Sequence, residues 1–288
     1  NITYQPYGIN KQAIYSVSRG EINCKLMDIA EQTGKVEIVF NQDCVNADLE
    51  KGTCWFRNTE NGTTTEVTSD LVFATDGAFS AVRYNAMQKL DRFSYSQNYI
   101  EDGYREILLP ANADGTFKME KNTLHIWPRG RFMLIALPNF DGSFTCTLFM
   151  PFDGDKNCFN NLTTPEKVTE FFKSTFPDFY DMIPDVAEHW GNHPLSSLAI
   201  VRCYPWFHGK TYLMGDAAHA TVPFFGQGMN CGFEDCTVMW ELMKKHGDNW
   251  KKIGEEYQIV RKPNGDAVQD LSLQNYLVMR NKVADPEY

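Results

Sequence analysis

The chain has 288 residues, a length that predicts about two domains. Apolar residues make up 43% and charged residues 22%, a composition typical of a soluble globular protein. The net charge of −10 argues against nucleic acid and anionic membrane surfaces as main partners, because both require a basic face.

No stretch of the sequence approaches the roughly 20 apolar residues that a membrane helix needs, so membrane association is not indicated within this chain. The eight cysteines include no Cys-x-x-Cys pair and favour reduced thiols in a cytoplasmic protein. His189 and His193 have the spacing of a metal pair, but Pro194 follows at once and no further ligands complete a site, so we expect no metal.

The first third of the chain predicts one helix followed by short strands. Ser18 and Glu21 form a capping box, an apolar face follows, and Gly34 provides a stop signal, so we expect a helix over 18–34. The expected strands are 35–40, 44–49, 53–57 and 64–67, in a small meander. Residues 71–74 form an apolar run that predicts a strand buried on both faces and ending at Asp76-Gly77.

From residue 93 onward the pattern changes to an antiparallel sheet. The expected strands are 103–109, 123–127, 131–137 and 143–150, with an Asp141-Gly142 hairpin signal. Thr164-Pro165 predicts a helix start, and 195–202 a returning strand. A strand over 211–214 leads into Gly215-Asp216, a helix over 233–246 stops at Gly247, and Asp266 is the expected cap of a last helix.

Asp76 and Asp216 each follow an apolar strand and stand beside a glycine. Ligands of doubly wound sheets bind beyond the carboxyl ends of the strands, and an aspartate there accepts hydrogen bonds from ribose or ribityl hydroxyls. For an isolated Asp-Gly pair, a turn residue or helix cap is the favoured alternative. Two such pairs shift the interpretation toward a site.

The run from Gly215 to Asn230 is the most informative part of the sequence. Its Gly226-Gln227-Gly228 turn precedes a helix, and glycines let the backbone approach a ligand. A helix start presents free N–H groups and a positive dipole end, which suit a phosphorylated, planar cofactor. The motif is not a complete dinucleotide fingerprint, because Cys231 stands where the third glycine would fall.

This run resembles the second flavin-binding motif of the FAD-dependent aromatic hydroxylases, the p-hydroxybenzoate-hydroxylase-like flavoprotein monooxygenases. The stretch from Asp76 to Arg83 resembles the Asp-Gly motif of the same family. Further blocks resemble the branch that hydroxylates L-kynurenine. These blocks are Tyr7-Gly8, 16–19, 124–129, 135–139, 144–152 and 223–230.

The resemblance implies an α/β (α+β) fold, with a Rossmann-like FAD-binding domain, here incomplete, and an inserted antiparallel β-sheet substrate domain. The implied bounds are 1–91 and 201–265 for the FAD-binding domain, 92–200 for the substrate domain and 266–288 for the start of a helical region. The unit that carries the pyrophosphate loop is expected before residue 1, with an arginine for the substrate carboxylate. A further part, with a second substrate tyrosine, is expected after residue 288.

The resemblance also implies the residues of the site. Arg19 and Cys44 would contact FAD, while Asp216, Met229 and Asn230 would hold the ribityl chain and the flavin ring. The full set of implied cofactor-binding residues is Arg19, Cys44, Asp76, Asp216, Gly226, Gly228, Met229 and Asn230. Each has a structural alternative: Arg19, for example, fits an ordinary surface residue of a first helical turn.

Implied substrate contacts are Tyr7 and Asn275 at the amino-acid end of L-kynurenine, Phe149 on its aromatic ring, and Phe224 and Phe225 beside the flavin. NADPH and O₂ would be co-substrates, and 3-hydroxykynurenine the product of a flavin C4a-hydroperoxide; no protein residue is expected to act as the catalytic group. Taken alone, Phe149 fits a core residue and Asn275 an exposed helix residue. His219 is expected to be structural.

Two alternatives remain open. Val278 stands where the family has an acidic residue near the substrate, which favours a related hydroxylase of another aromatic amine or acid. Because the pyrophosphate loop is expected outside this chain, a non-catalytic fragment that cannot hold FAD alone is the other alternative. The expected location is cytoplasmic for a bacterial protein, and a mitochondrial outer membrane would require an anchor outside this chain.

Overall fold

The computed structural model describes residue 4 and residues 13–281, with the side chains of residues 280 and 281 left aside. Tyr7 therefore lies outside the described residues. The strands are β1 Gln42–Asp48, β2 Thr53–Asn58, β3 Thr64–Thr68, β4 Val72–Ala74, β5 Ser94–Leu109, β6 His125–Pro128, β7 Met133–Pro138, β8 Phe144–Pro151, β9 Ser196–Tyr204, β10 Phe207–His208 and β11 Thr211–Leu213. The helices are α1 Arg19–Gln32, α2 Ala81–Asn85, α3 Pro165–Thr175, α4 Pro177–Met182, α5 Val186–His189, α6 Asp216–His219, α7 Gly228–His246 and α8 Trp250–Asn281.

The chain divides into two compact units. Unit 1 comprises residues 1–38, 104–127 and 132–195, and unit 2 comprises residues 39–103, 128–131 and 196–288. The strand β5 passes from unit 2 into unit 1. The domain bounds inferred from the family resemblance differ from these compact units and stay a proposal.

Unit 1 contains helices α1 and α3–α5 and the antiparallel hairpin β7–β8. The hairpin register pairs Leu134 with Leu148, and Gly142 takes φ +86° in the connecting turn, as the Asp-Gly signal predicted. Phe144, Cys146 and Leu148 are completely buried in a core that includes Phe172 on α3. Thr164 caps α3, and Pro165 stands in its first turn, as predicted.

Helix α1 begins where the capping box predicted. The Ser18 hydroxyl accepts a hydrogen bond from the Glu21 amide at 3.4 Å. Its apolar stripe is nevertheless not buried among the described residues, since Leu26 is 45% and Ile29 49% exposed. The strand expected over 35–40 is wrong: those residues are not in a strand and pair with no described strand.

Unit 2 holds the meander β1-β2-β3 and a small sheet in the order β10-β11-β4. Its core contains the buried side chains of Trp206, Tyr212 and Leu213 beneath helices α7 and α8. The expectation that residues 71–74 are buried on both faces is wrong, because Phe73 is 41% exposed while it stacks on Tyr212 with ring centroids 5.1 Å apart.

Helix α8 is the largest departure from the sequence prediction. It runs unbroken from Trp250 to Asn281 through Pro263, so Asp266 lies inside the helix and is not its cap. Pro263 removes the hydrogen bond to the carbonyl of Ile259, but both residues are exposed, where water can satisfy that carbonyl. None of the helices in the described part of the chain combines the length and the apolar composition of a membrane span.

Candidate functional site

The carboxyl ends of two parallel strands bring the two Asp-Gly pairs to one edge of the small sheet in unit 2. Strand β4 pairs with β11 so that Ala74 lies opposite Leu213, and the Met214 amide donates to the Ala74 carbonyl at 3.1 Å. Asp76 follows the first strand and Asp216 the second. This is the edge at which ligands of α/β sheets bind.

Asp76 has a local structural role. Its Oδ2 accepts a hydrogen bond from the Val82 amide at 3.1 Å, and the Ser80 hydroxyl accepts one from the Arg83 amide at 3.0 Å. Both bonds satisfy amides at the start of α2. Because Asp76 is also exposed, the turn holds its carboxylate at the surface of this edge.

Arg83 connects the two loops at this edge. Its side chain is 1% exposed, Nη1 donates to the Ala217 carbonyl at 2.7 Å, and Nη2 donates to the Ala78 carbonyl. The guanidinium also lies 5.3 Å from the centre of the Tyr95 ring. One buried side chain therefore joins the loop after β4 to the turn after β11.

Gly215 takes φ +57° and ψ −142°, a conformation that disfavours residues with a Cβ. Its amide donates to Asp235 Oδ2 at 2.8 Å. Asp216 follows as the first residue of α6 and is exposed, whereas the next residues, Ala217 and Ala218, are buried. The turn thus directs one carboxylate outward from an otherwise buried segment.

The segment 223–230 ends in an open helix start. Gly226 takes φ +66° after a short 3₁₀ turn, and Gln227, the N-cap of α7, makes no side-chain capping bond. Met229 is 49% exposed, and Asn230 is exposed with its amide on the Gln227 side chain at 3.0 Å. First-turn amides and the positive end of a 19-residue helix therefore face the surface.

These residues fit a bound flavin. A Cβ built at Gly77, Gly215 or Gly226 would meet no atom within 4 Å, so open space adjoins all three turns. The uncapped start of α7 supplies donors and a positive dipole end for the polar edge of a ring system. Asp216 supplies an acceptor for a polyol chain at the same strand edge.

Asn275 of α8 lies against the 3₁₀ turn. Its Nδ2 donates to the Phe224 carbonyl, and the ring of Phe224 packs on Tyr276 with centroids 4.5 Å apart. The alternative of an Asn275 that merely faces water is therefore wrong. Phe224 is 8% and Phe225 42% exposed, so the first anchors the turn and the second reaches solvent.

Three of the implied residues have ordinary structural surroundings. Arg19 begins α1 with its side chain 77% exposed and an ion pair to Glu106 at 3.5 Å. Phe149 of unit 1 is 4% exposed and lies beside the Tyr104 ring. Cys44 is half-buried on β1, and hydrogen bonding with the Cys54 thiol together with burial raises the pKa of Cys44. Their roles toward a cofactor or substrate stay proposals.

The sequence interpretation missed a buried ionic network behind the Gly215 turn. Asp235 accepts hydrogen bonds from His219 Nε2 at 2.6 Å and from Arg261 Nε at 2.7 Å, and all three side chains are buried. The contacts of His219 are with buried protein groups, Asp235 and Cys231, and its expected structural role stays a prediction. A signal existed: Cys231, Asp235 and Met239 form the buried stripe of α7 at four-residue spacing, so one charged residue falls among apolar ones.

Charge balance sets the protonation of this network. Burial acts to lower the pKa of His219, but hydrogen bonds to Asp235 and Cys231 outweigh it and raise the pKa to about 9. Burial acts to raise the pKa of Asp235, but the interactions with His219 and Arg261 outweigh that effect and lower the pKa. At neutral pH the network therefore holds a cationic His219 beside an anionic Asp235.

A separate cleft of about 350 Å³ opens in unit 2 beside β1 and α2. Its walls include Asn46, Trp55, Lys89 and His208, and no implied site residue. Across the described part of the chain, no cluster of His, Cys, Asp or Glu side chains could hold a metal ion. All eight cysteines are free thiols.

The geometry and the sequence together define the class of protein. The profile of the "FAD binding domain" family matches residues 7–272. The chain belongs to this family of flavin-binding proteins.

Particular relatives narrow the comparison. The chain is 48% identical over its whole length to "Kynurenine 3-monooxygenase" of Flavobacterium psychrophilum, and 49% identical to the protein of that name in Flavobacterium johnsoniae. Over 98% of its length it is 42% identical to the protein of that name in Dictyostelium discoideum. The chain spans 64% of the length of both Flavobacterium relatives and 63% of the Dictyostelium relative.

Solved structures share the fold. The tetrameric form of 2-methyl-3-hydroxypyridine-5-carboxylic acid oxygenase matches 93% of this chain with a TM-score of 0.73 and 20% identity, and 69% of its own chain is covered. Klebsiella pneumoniae HpxO complexed with FAD and uric acid matches 92% of this chain with a TM-score of 0.67 and 17% identity, and 64% of its own chain is covered. The fold class expected from the sequence is therefore confirmed.

Proposed function

We propose that this protein is an FAD-dependent, NADPH-using monooxygenase that hydroxylates L-kynurenine to 3-hydroxykynurenine. The observation that carries the proposal is the identity of 48–49% along the entire chain to relatives named for this activity. The paired strand ends and the open helix start of unit 2 support it, since they match what a flavin requires of its binding site.

In this proposal the chain supplies binding and electrostatics, while bound FAD supplies the redox chemistry with NADPH and O₂. Asp216 accepts hydrogen bonds from ribityl hydroxyls, and Gly226 and Gly228 let the backbone approach the ring. The first-turn amides at Met229 and Asn230 stabilise negative charge on the reduced flavin, because they lie at the positive end of α7. Arg19, Cys44 and Asp76 complete the proposed cofactor contacts.

The proposed substrate contacts have a different task. Tyr7 and Asn275 bind the amino-acid end of L-kynurenine, and Phe149 packs on its ring. Phe224 and Phe225 exclude water from the reacting oxygen, which limits unproductive release of hydrogen peroxide. The substrate's own aniline nitrogen activates the adjacent ring carbon, so no nucleophile or general base from the protein is required.

Coupled turnover tests this proposal. NADPH oxidation is measured with and without L-kynurenine, under ¹⁸O₂, and the product is identified by mass. We expect oxidation to accelerate with L-kynurenine and one labelled oxygen atom to enter the ring. Fast oxidation that yields hydrogen peroxide and no hydroxylated product contradicts the proposal.

Val278 supports one competing candidate, a hydroxylase of a different aromatic amine or acid. It lies half-buried on α8, three residues beyond Asn275, where the family resemblance implies an acidic side chain. A panel of aromatic amines and acids in the coupled assay separates the two candidates, since preference for L-kynurenine excludes the second. A cytoplasmic location stays a prediction.

A further inference from the structure

The buried ionic groups of unit 2 meet at a single carboxylate, Asp235 of α7. Its Oδ2 accepts from the Gly215 amide at 2.8 Å and from His219 Nε2 at 2.6 Å, and its Oδ1 accepts from Arg261 Nε at 2.7 Å. Asp235 and Arg261 are completely buried, and His219 is 3% exposed. We name His219, Asp235 and Arg261 the Asp235 network.

Each partner of Asp235 comes from a different part of unit 2. His219 ends the short helix α6, Arg261 lies in the middle of α8, and Gly215 is the turn between β11 and α6. Arg261 Nη2 also donates to the Cys231 carbonyl in the first turns of α7 at 3.0 Å. The network therefore joins the Gly215–Asp216 turn to the helix whose start forms the other part of the candidate site.

The backbone at Gly215 depends on this attachment. Its φ of +57° and ψ of −142° lie in a sparsely populated region of backbone conformation, which persists only where the surrounding structure holds it. The bond from its amide to Asp235 crosses 20 residues of sequence and orients the peptide that leads into Asp216. A carboxylate with two cationic partners is a strong and fixed acceptor for that amide.

We propose that His219, Asp235 and Arg261 are positioning residues of the flavin site: they fix the Gly215 turn and thereby the direction of Asp216, so that FAD affinity depends on the charge of His219. This inference rests on the proposed function for the identity of the ligand. None of the three residues needs to contact the cofactor, since they act through the Gly215 backbone and the start of α7.

The surroundings of His219 determine how its charge responds to pH. From α7 it faces Asp235 and the Cys231 thiol, whose Sγ lies 3.8 Å from Nδ1. From α8 the charged group is Arg261, which acts through Asp235, and Gly265 leaves room for the imidazole. The Trp206 ring covers another side, with centroids 5.1 Å apart.

The titratable groups of the wider surroundings lie on α7, α8 and β9. Tyr257 of α8 donates to the Leu213 carbonyl at 3.3 Å, Cys203 of β9 lies against the Ala218 carbonyl at 3.3 Å, and Glu234 of α7 pairs with Arg261 at 2.7 Å. The pKa of about 9 for His219 then implies that its charge is lost only in alkaline solution.

The test compares two substitutions at one position. His219→Gln keeps a neutral N–H donor and cannot titrate, whereas His219→Phe keeps a ring and removes the donor. Glu241→Gln serves as control, because Glu241 lies on α7 with Asp235, is 61% exposed and pairs only with Lys244 in the salt bridges of the described residues. FAD affinity is measured by quenching of flavin fluorescence from about pH 7 to about pH 10.

We expect His219→Phe to weaken FAD binding roughly tenfold at neutral pH, the loss of one charge-assisted hydrogen bond. The FAD affinity of the wild type should fall toward that of His219→Gln as the pH rises through about 9. The ratio of the FAD affinities of His219→Gln and Glu241→Gln should change over the same pH range. Ionisation of the flavin is common to all variants and cancels in these ratios. If His219→Phe bound FAD with the same affinity and the same pH profile as the wild type, the proposal would be overturned.

A second readout needs no FAD. Hydrogen exchange at the Gly215 amide is compared with exchange at the amide of Met239, which lies on the buried stripe of α7 beyond the network. We expect His219→Phe and Asp235→Asn to reduce protection at Gly215 more than at Met239. Equal losses at both amides mean a general loss of stability and overturn the positioning role. If the wild-type protein failed to bind FAD, the proposed function would fail while this comparison would still decide the network's role.

Discussion

Arg83 Nη1 donates a 2.7 Å hydrogen bond to the carbonyl of Ala217, a residue 134 positions further along the chain. This contact links the loop after β4 to the turn after β11, so the two Asp-Gly pairs do not move independently. The strand pairing that brings Ala74 opposite Leu213 makes the contact possible. Strand pairing and one buried guanidinium together therefore assemble the candidate site from distant segments.

Replacing Arg83 by methionine tests this link. The substitution leaves the carbonyls of Ala78 and Ala217 without their donor, so we expect a loss of about 1–3 kcal/mol in the free energy of unfolding. FAD binding should weaken as well, because the two loops separate. Arg57→Met is the control: Arg57 is 57% exposed in a surface pair with Asp43, and its loss should change stability by no more than about 0.5 kcal/mol. Equal effects of the two substitutions would contradict the link.

Stability should decline in alkaline solution because of His219. Its pKa rises from 6.5 to about 9 on folding, so the charged form stabilises the folded state fully below about pH 6.5. That contribution, about 3 kcal/mol as an upper estimate, is lost as the pH rises through about 9. Urea unfolding across this range measures it. In His219→Gln the slope should disappear, and an unchanged slope would show that another group causes it.

The same network should also weaken at low pH, through protonation of Asp235. The pKa of Asp235 is lowered on folding, since His219 and Arg261 outweigh the effect of burial. Its contribution is therefore present above the ordinary aspartate pKa of 3.8 and is lost as the pH falls below it. Asp235→Asn should flatten the acid limb of the unfolding profile. If the acid limb of Asp235→Asn were as steep as that of the wild type, other carboxylates would be the cause of the acid-induced loss of stability.

Tyr276 supports the turn that carries Phe224. Its hydroxyl donates to Asp102, which is 1% exposed, and its ring packs on Phe224. Tyr276→Phe removes a donor from a buried carboxylate, so we expect a loss of about 1–3 kcal/mol in the free energy of unfolding. Tyr84→Phe, at a tyrosine that is 63% exposed, should be nearly neutral. Thermal unfolding of both variants distinguishes the buried hydroxyl from the exposed one.

Gly254 of α8 should not tolerate a side chain. A Cβ there would lie 2.3 Å from the Phe207 ring, so alanine forces the ring or the helix to shift at a cost of about 1–3 kcal/mol. Gly20 of α1 is the matched control, because its Cβ would meet no atom closer than 3.9 Å. Gly20→Ala should stabilise by up to about 1 kcal/mol, the usual helix preference. A neutral Gly254→Ala would show that this contact is loose.

Local sequence signals predicted several helix ends and one turn. Ser18, Thr164, Gly142 and Gly247 marked helix starts, a turn and a helix stop at the right residues, because caps and positive-φ turns are decided within a few positions. Strand ends at Asp76 and Gly215 were also visible. That these two strands pair in parallel became visible only in the structure.

Long-range contacts were not visible in the sequence. Asp266 suggested a new helix start, yet α8 continues because its buried side extends past that residue to Gln269, Ser272 and Tyr276. The bonds from Asp235 to Gly215 and Arg261 cross 20 and 26 residues. No local pattern identifies such a distant partner. A charged residue within an apolar stripe nevertheless indicates a buried charge that requires a partner.

Titration of FAD into the protein tests the central claim that the edge formed by β4, β11 and the start of α7 holds a flavin. Flavin fluorescence and the visible spectrum are followed for the wild type, for Asp216→Ala and for Asp178→Ala, a control on α4 of unit 1. We predict saturation at one FAD per chain, at least roughly tenfold weaker binding in Asp216→Ala, and no change in Asp178→Ala. Binding that Asp216→Ala leaves intact, or no binding by the wild type, contradicts the account.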